Sequence, residues 1–418
     1  MIRALLIAYT TYIHDGRVRR HAEALATRGD HVDVICLGSP GRLDGVNVIG
    51  LDIPRYRGGS RSSYLNSYFR FFLRATAVAM RLNSGGRYDV VIACTMPDAV
   101  VLCTLPLRLL GAKVVLDVHD TMPELYRDKF GGARGAFGAR LLMIEERASA
   151  ALAHRVLAVH ESHRERLIQS GIDARKISVV MNSPDSRIFA PRAHPLRDEG
   201  FTIVCHGTVT RRLGLDVAIR AIALLRDRIS KLRLRIIGDG DYRPEAESLV
   251  EALQLKGQVS FLDPVAIDEL PKVLREASVG LVPNRASSAT HLMLPVKLLE
   301  YATLGIPAIA SRLKTIERYF GNHAVRYFEP DRETSLAEAI ADLYHNPDLR
   351  RHIAGCAREV SRRISWASQR GRFYEVIDSL AAGRSDAWPH HTNRGPDSRV
   401  ENTGDTGTGL FEQKLGGS

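Results

Sequence analysis

Cysteine is scarce in this 418-residue chain, and long apolar runs are missing. The five cysteines, Cys36, Cys94, Cys103, Cys205 and Cys356, show no CxxC spacing, and most stand in apolar runs where a thiol behaves as a small core side chain. A zinc site is therefore not expected, and a reducing compartment is. No uninterrupted apolar stretch approaches the roughly 20 residues that cross a bilayer. The strongest candidate, Val90 to Leu110, is broken by Pro97, Asp98, Pro106 and Arg108. The opening run Ala4-Leu5-Leu6-Ile7-Ala8 is too short for a signal-peptide core and passes into Thr10-Thr11, so it reads as a buried strand and the chain as cytoplasmic.

Several signature strings are also missing. Neither a P-loop nor GxSxG occurs, which counts against NTPase and hydrolase chemistry. In Gly238-Asp239-Gly240-Asp241-Tyr242-Arg243 an arginine stands where the third glycine of GxGxxG belongs, so a nicotinamide cofactor is not expected. The DxD string inside it has no acidic companions and reads as a turn, so no metal is expected. His160-Glu161-Ser162-His163 has the wrong spacing for two zinc ligands on one helix face.

Acid is absent between Pro54 and Arg87, where seven arginines alternate with Tyr64, Tyr68, Phe69, Phe71 and Phe72. A helix over Ser62–Leu82 with that pattern suits an anionic membrane surface, and equally a cationic face over a sheet. The whole chain carries a net charge of +11, which favours anionic partners. No nucleic-acid-binding module is visible, so nucleic acid is not an expected partner.

What is present is a βα rhythm. Short β-branched runs alternate with helical patterns through residue 185, and the prolines and mixed charge of 186–200 read as a linker. A second series fills 201–360. The fold class expected is α/β, with two doubly wound Rossmann-like domains facing a central cleft. Residues 361–381 follow as a helix, and the Gly, Ser, Asp, Asn and Thr-rich stretch 382–418 reads as a disordered tail.

Chemistry-bearing residues gather at strand ends, where open α/β sheets bind ligands. Asp117-Val118-His119-Asp120 ends one strand, and a histidine flanked by carboxylates there can orient or exchange protons with a sugar hydroxyl. His206-Gly207-Thr208-Val209-Thr210-Arg211-Arg212-Leu213-Gly214 follows the first strand of the second domain. It reads either as a pyrophosphate site or as a solvated basic turn. Gly238 and Gly240 let backbone approach a ligand. In Pro295-Val296-Lys297-Leu298-Leu299-Glu300, Lys297 and Glu300 share a helix face directed at one ligand or at each other.

Taken together, Asp15-Gly16-Arg17-Val18, the DVHD…PEL run, the HGT…RRLG run, the IIGDGDY run and PVKLLEYATLGIPAIA resemble the retaining GT-B glycosyltransferases of family 4 over residues 1 to 375. The resemblance implies transfer, with retained configuration, from a UDP- or GDP-sugar to a saccharide or lipid-linked acceptor in cell-envelope or exopolysaccharide synthesis. It implies no cofactor beyond that co-substrate. His119, Arg211, Arg212 and Lys297 would be catalytic. Gly16, Arg17, Asp120, Gly207, Thr208, Gly238, Gly240, Leu299 and Glu300 would bind substrate, Glu300 at the ribose. Two positions depart from the family: Leu292 stands eight before Glu300, where a glutamate is usual, and Thr208 replaces an arginine. The competing functions are a nucleotide-sugar 2-epimerase and a catalytically silent sugar-nucleotide-binding protein.

Overall fold

The computed structural model describes residues 1–54, 61–191 and 200–382. Most of the stretch read as a linker, and the tail after Ala382, lie outside the described residues. The first domain runs β1 (Arg3–Thr11), α1 (Gly16–Thr27), β2 (His31–Leu37), β3 (Gly41–Leu43), β4 (Val46–Leu51), α2 (Arg61–Ser84), β5 (Val90–Cys94), α3 (Leu105–Leu109), β6 (Lys113–Val118), α4 (Met122–Phe130), α5 (Gly132–Leu152), β7 (Arg155–Ala158), α6 (Glu161–Gln169) and β8 (Ile177–Val179). The second runs β9 (Phe201–His206), α7 (Leu215–Leu225), β10 (Leu232–Ile237), α8 (Arg243–Ala252), β11 (Val259–Leu262), α9 (Leu270–Leu274), β12 (Val279–Val282), α10 (Val296–Leu304), β13 (Ala308–Ser311), α11 (Lys314–Phe320), β14 (Arg326–Phe328), α12 (Glu333–His345) and α13 (Pro347–Arg363). A last helix, α14 (Trp366–Ala381), follows.

Two sheets result, ordered β3-β4-β2-β1-β5-β6-β7-β8 and β11-β10-β9-β12-β13-β14. All neighbours pair in parallel except the β3–β4 hairpin. Parallel strands covered on both faces need continuous apolar runs, and Ala4 to Ala8 of β1 is accordingly sealed from solvent. Strand order reverses between β1 and β5 and between β9 and β12, so a crevice opens at the carboxyl ends of those strands.

Three local features differ from the sequence reading. The β3–β4 hairpin was not anticipated, although its turn residues Asp44 (φ 51°) and Gly45 (φ 81°) are the Asp-Gly pair that a type I′ turn needs. The expected helix Ala99–Leu110 is a 3-10 segment, Asp98–Thr104, followed by the short α3. Pro106 explains the break, because it has no N–H to donate and its ring would clash with the Leu102 carbonyl in a continuous α-helix. Helix α5 begins at Gly132, five residues before Phe137, where the helical pattern of the sequence starts.

Helix α14 lies on the first sheet. Trp366, Phe373, Val376, Ile377 and Leu380 enter the core formed by β1, β2 and α1. Gln369 accepts the Met181 N–H at 3.0 Å, and Phe373 stacks on His21 at 4.3 Å between ring centroids. Chain from beyond the second domain thus completes the core of the first. Phe373→Ala should cost about 3–5 kcal/mol in urea unfolding, whereas Phe137→Ala, at an exposed site, should change stability by about 0.5 kcal/mol or less.

Candidate active site

A cavity of about 520 Å³ lies between the two sheets, lined from the first domain by Gly16, Arg17, Arg20, His119, Asp120 and Asn182 and from the second by Thr208, Leu292, Leu299 and Glu300. Its first-domain wall is built on one carboxylate. Asp117, the fifth residue of β6, is fully buried, and a buried charge needs a partner. Arg17 supplies it from the first turn of α1, with Nη2 donating to Oδ1 at 2.7 Å and Nε reaching both oxygens at 3.0 Å. The remaining Nη1 donates to the Val180 carbonyl at 2.7 Å.

Asp117 also touches two histidines. His119 Nε2 lies 3.1 Å from Oδ2, and the His119 N–H donates to Thr95 Oγ1 at 3.0 Å. Nδ1 is the ring nitrogen left for a ligand. Burial disfavours protonation of His119, but the Asp117 carboxylate overcomes it and raises the pKa above its usual value. His21 Nδ1 approaches Asp117 at 3.3 Å, yet burial, reinforced by Arg17, pushes it down to about 4. One carboxylate therefore has two imidazole neighbours whose pKa values shift in opposite directions.

The second-domain wall rests on Glu300. Its Oε2 accepts from His206 Nε2 at 2.6 Å, and His206 Nδ1 lies 2.9 Å from the Tyr301 hydroxyl. Glu300 thus finds its partner at the end of β9, not in Lys297. Lys297 instead lies beside Gly207: a Cβ there would stand 3.6 Å from Nζ, and φ of +106° keeps the position glycine. Gly16 is close-packed rather than strained: a Cβ would come within 2.9 Å of Ile267 Cδ1 and 3.1 Å of Arg20 Nη1, the mobile ends of their side chains.

The structure relocates several residues expected to meet substrate. Arg17 lines the cavity, with its guanidinium hydrogen-bonded to Asp117 and the Val180 carbonyl. Arg211 and Arg212 are exposed outside the cavity lining, and Arg211 faces Glu245 at 3.5 Å. They sit on a 3-10 turn, Arg211–Leu213. Gly238 and Gly240 also lie outside the lining. A Cβ on either would fall about 2 Å from the Gly207 or Val209 carbonyl, so these glycines let the β10 loop close on the β9 loop.

Arg20, which the sequence did not single out, lines the cavity. It is buried in the cleft, donates to Asn182 Oδ1 and faces the Trp366 ring. Among the described residues no carboxylate forms an ion pair with it. Burial first, and then Arg17, lowers its pKa to about 10. Glu300, Asp15 and Asp185 act on it from beyond contact distance and only partly offset its burial. The i, i+3 spacing from Arg17 was the available signal. His160 and His163 were also passed over; both line the cavity, His160 holds the Leu292 backbone, and the ring nitrogens of His163 have no partner among the described residues.

Cys94, Asp117 and His119 bring three ligand atoms within 4.8 Å of one another. The Asp117 carboxylate already serves Arg17, and burial raises the Cys94 thiol well above its ordinary pKa, so the set is poorly disposed to take a cation.

Comparison with known proteins decides the family. Residues 16–183 match the model of the glycosyl transferase 4-like domain, and residues 186–360 that of glycosyl transferases group 1. The chain belongs to the group 1 glycosyltransferases of the GT-B fold. Relatives of this glycosyltransferase include the phosphatidyl-myo-inositol mannosyltransferase of Mycobacterium leprae, 26% identical over 87% of this chain and 93% of the relative. The D-inositol 3-phosphate glycosyltransferase of Pseudarthrobacter chlorophenolicus is 27% identical over 68% of each. The glycosyltransferase shares its fold with sucrose-phosphate synthase from Thermosynechococcus elongatus, with TM-score 0.75, 17% identity and coverage of 92% of this chain and all of the other. It also matches Anabaena HepE in complex with UDP and glucose, at TM-score 0.68 and 16% identity over 91% of this chain and all of HepE.

Two measurements check this wall of the site. Asp117→Asn leaves Arg17 buried without a counter-charge and should cost about 3–5 kcal/mol, read by denaturant unfolding. His163 is held neutral in the fold by burial, with its pKa well below the usual value. Its contribution is therefore complete above about pH 6.5 and lost as pH falls through that value. Below pH 6.5 His163→Phe should gain on the parent by about 1.4 kcal/mol per pH unit, until the parent histidine protonates in the fold.

Proposed function

We propose that the glycosyltransferase moves a sugar, with retention of anomeric configuration, from a UDP- or GDP-sugar to a saccharide on a lipid carrier at the inner face of the cell membrane. The observation that carries this reading is Arg20, a buried cleft cation hydrogen-bonded to Asn182 and touched by no carboxylate among the described residues, set opposite Thr208 and Glu300 in one cavity. That arrangement suits a nucleoside diphosphate whose ribose hydroxyls reach Glu300 and whose phosphates reach Arg20. HepE, a neighbour in fold, is known in complex with UDP-glucose, and the inositol-lipid relative favours a lipid-borne acceptor.

In the reaction the acceptor oxygen forms a bond to the anomeric carbon as the bond from that carbon to the phosphate oxygen breaks. The electron pair leaves with the nucleoside diphosphate, and the acceptor proton passes to that leaving group. Fixed cations stabilise the departing charge without reorganisation. His119, oriented by Asp117, is placed to hold a sugar hydroxyl through Nδ1. This assigns the leaving-group role to side chains, so transfer requires no divalent metal.

Calorimetry with UDP and GDP, run beside transfer assays in excess chelator, tests the reading. Glu300→Gln should weaken nucleotide binding about 10- to 100-fold, the equivalent of one hydrogen bond to a charged group. Arg20→Met should weaken the diphosphate far more than the free nucleoside. His119→Ala should lower turnover with nucleotide affinity nearly unchanged. Parent-like nucleotide binding by both Glu300→Gln and Arg20→Met would sink the placement of the donor. Loss of turnover in chelator, restored by manganese, would overturn metal independence. Conversion of a nucleotide sugar without any acceptor would favour the epimerase.

A further inference from the structure

One side of the first domain presents apolar side chains to solvent from three adjacent elements. Along α2, Phe69 is 61% exposed and Leu73 57%, with Met80 further along the same stripe. Across α5, Phe137, at 66%, is followed by Leu141 and Ile144, the i, i+4, i+7 spacing of one helix face. Between them lie the 3-10 segment and α3, which expose Leu102, Leu105 and Leu109. The Cys103 thiol donates to the Phe72 carbonyl of α2 at 3.8 Å, and the Arg108 guanidinium to the Leu152 carbonyl at the end of α5. Each stripe lies opposite its helix's packed side, which is Phe71, Ala75 and Ala79 on α2 and Gly135, Ala139 and Ala150 on α5.

The charge pattern supplies an independent observation. Residues 61–84, 99–113 and 131–144 contain no aspartate or glutamate. The acids that these three elements do carry are Asp98 and Glu146, both buried, and Glu145, half-buried, so none of the three elements exposes an acid. Arginines remain: Arg70 and Arg74 on α2 and Arg134 and Arg140 on α5, all exposed and all flanking the apolar stripes. A solvated protein face mixes both signs. Apolar stripes bordered only by arginine match the interface of a bilayer containing anionic lipid, with stems lying along the apolar surface and guanidinium groups at the headgroups.

We propose that α2, α3 and α5 together form a membrane-docking face that seats the glycosyltransferase on anionic lipid. The face begins at the cleft. Met96, 38% exposed, follows Thr95, whose hydroxyl accepts the His119 N–H. A docked molecule would bring His119 close to the headgroup plane, so the saccharide of a lipid-borne acceptor enters the cleft while its tail stays in the bilayer. This deepens the proposed acceptor class and rests on it only for the orientation.

Co-sedimentation of the full chain with phosphatidylcholine vesicles, with and without about 30% phosphatidylglycerol, tests the proposal as salt is raised. The parent should bind the anionic vesicles, bind neutral ones at least tenfold more weakly, and release as salt rises. Phe137→Ser with Leu141→Ser, Phe69→Ser with Leu73→Ser, and Arg134→Glu with Arg140→Glu should each reduce binding about tenfold or more. UDP or GDP affinity, measured on the same samples, should stay at the parent's value in all three, which separates this face from the donor site. Parent-like vesicle binding by all three variants overturns the proposal. So does a parent that ignores anionic vesicles, or one that sizes as a dimer dissolved by the Phe137 and Leu141 pair, which would make the face a contact between copies.

Discussion

Asp117 is the constraint around which the first domain is arranged. Its carboxylate lies in the dry interior of β6, where an unpaired charge would be strongly destabilising. Meeting it requires Arg17, and Arg17 fixes the start of α1 over the end of β6 while gripping the chain after β8 at Val180. His119 is oriented by the same carboxylate and His21 by its margin. Since His21 stacks on Phe373, even the docking of α14 depends on this group. The interaction most responsible for shape is also the one that orients a cleft histidine.

The cleft's electrostatics follow from how that cation is used. Arg17 is paired with Asp117 and lowers the pKa of Arg20. Arg20 remains as the buried positive charge, and Glu300 faces it across the cavity with its own support from His206. Burial lowers the Arg20 pKa to about 10 although Glu300, Asp15 and Asp185 act in the opposite direction. Arg211, by contrast, is exposed and faces Glu245.

The α2, α3 and α5 side of the first domain has a different physics from the cleft. There the apolar groups are exposed and the cations unburied, so attraction to a surface is additive and salt-sensitive. Within the cleft each charge is fixed, desolvated and directional. The two regions meet at the loop after β5, where Thr95 supports His119 and Met96 reaches solvent.

Periodicity made the two-sheet architecture legible, because a covered parallel strand must be an apolar run and a covering helix must show a 3.6-residue stripe. The strand-end motifs around His119, Thr208 and Glu300 were legible for the same reason, since strand ends are where such sheets open. Even the Asp-Gly turn of the β3–β4 hairpin was written locally. Which arginine serves the cleft was not. Arg17, Arg20, Arg211 and Arg212 are chemically identical in the sequence, and only packing decides that the first is bound to Asp117, the second is buried against Asn182 and the last two are solvated. The partner of Glu300 was hidden likewise: Lys297 is near in sequence, but His206, 94 residues away, is the neighbour in space. Local chemistry is set by residue type and spacing, whereas the state of a charge is set by what surrounds it, and in this protein those surroundings come from opposite ends of the chain.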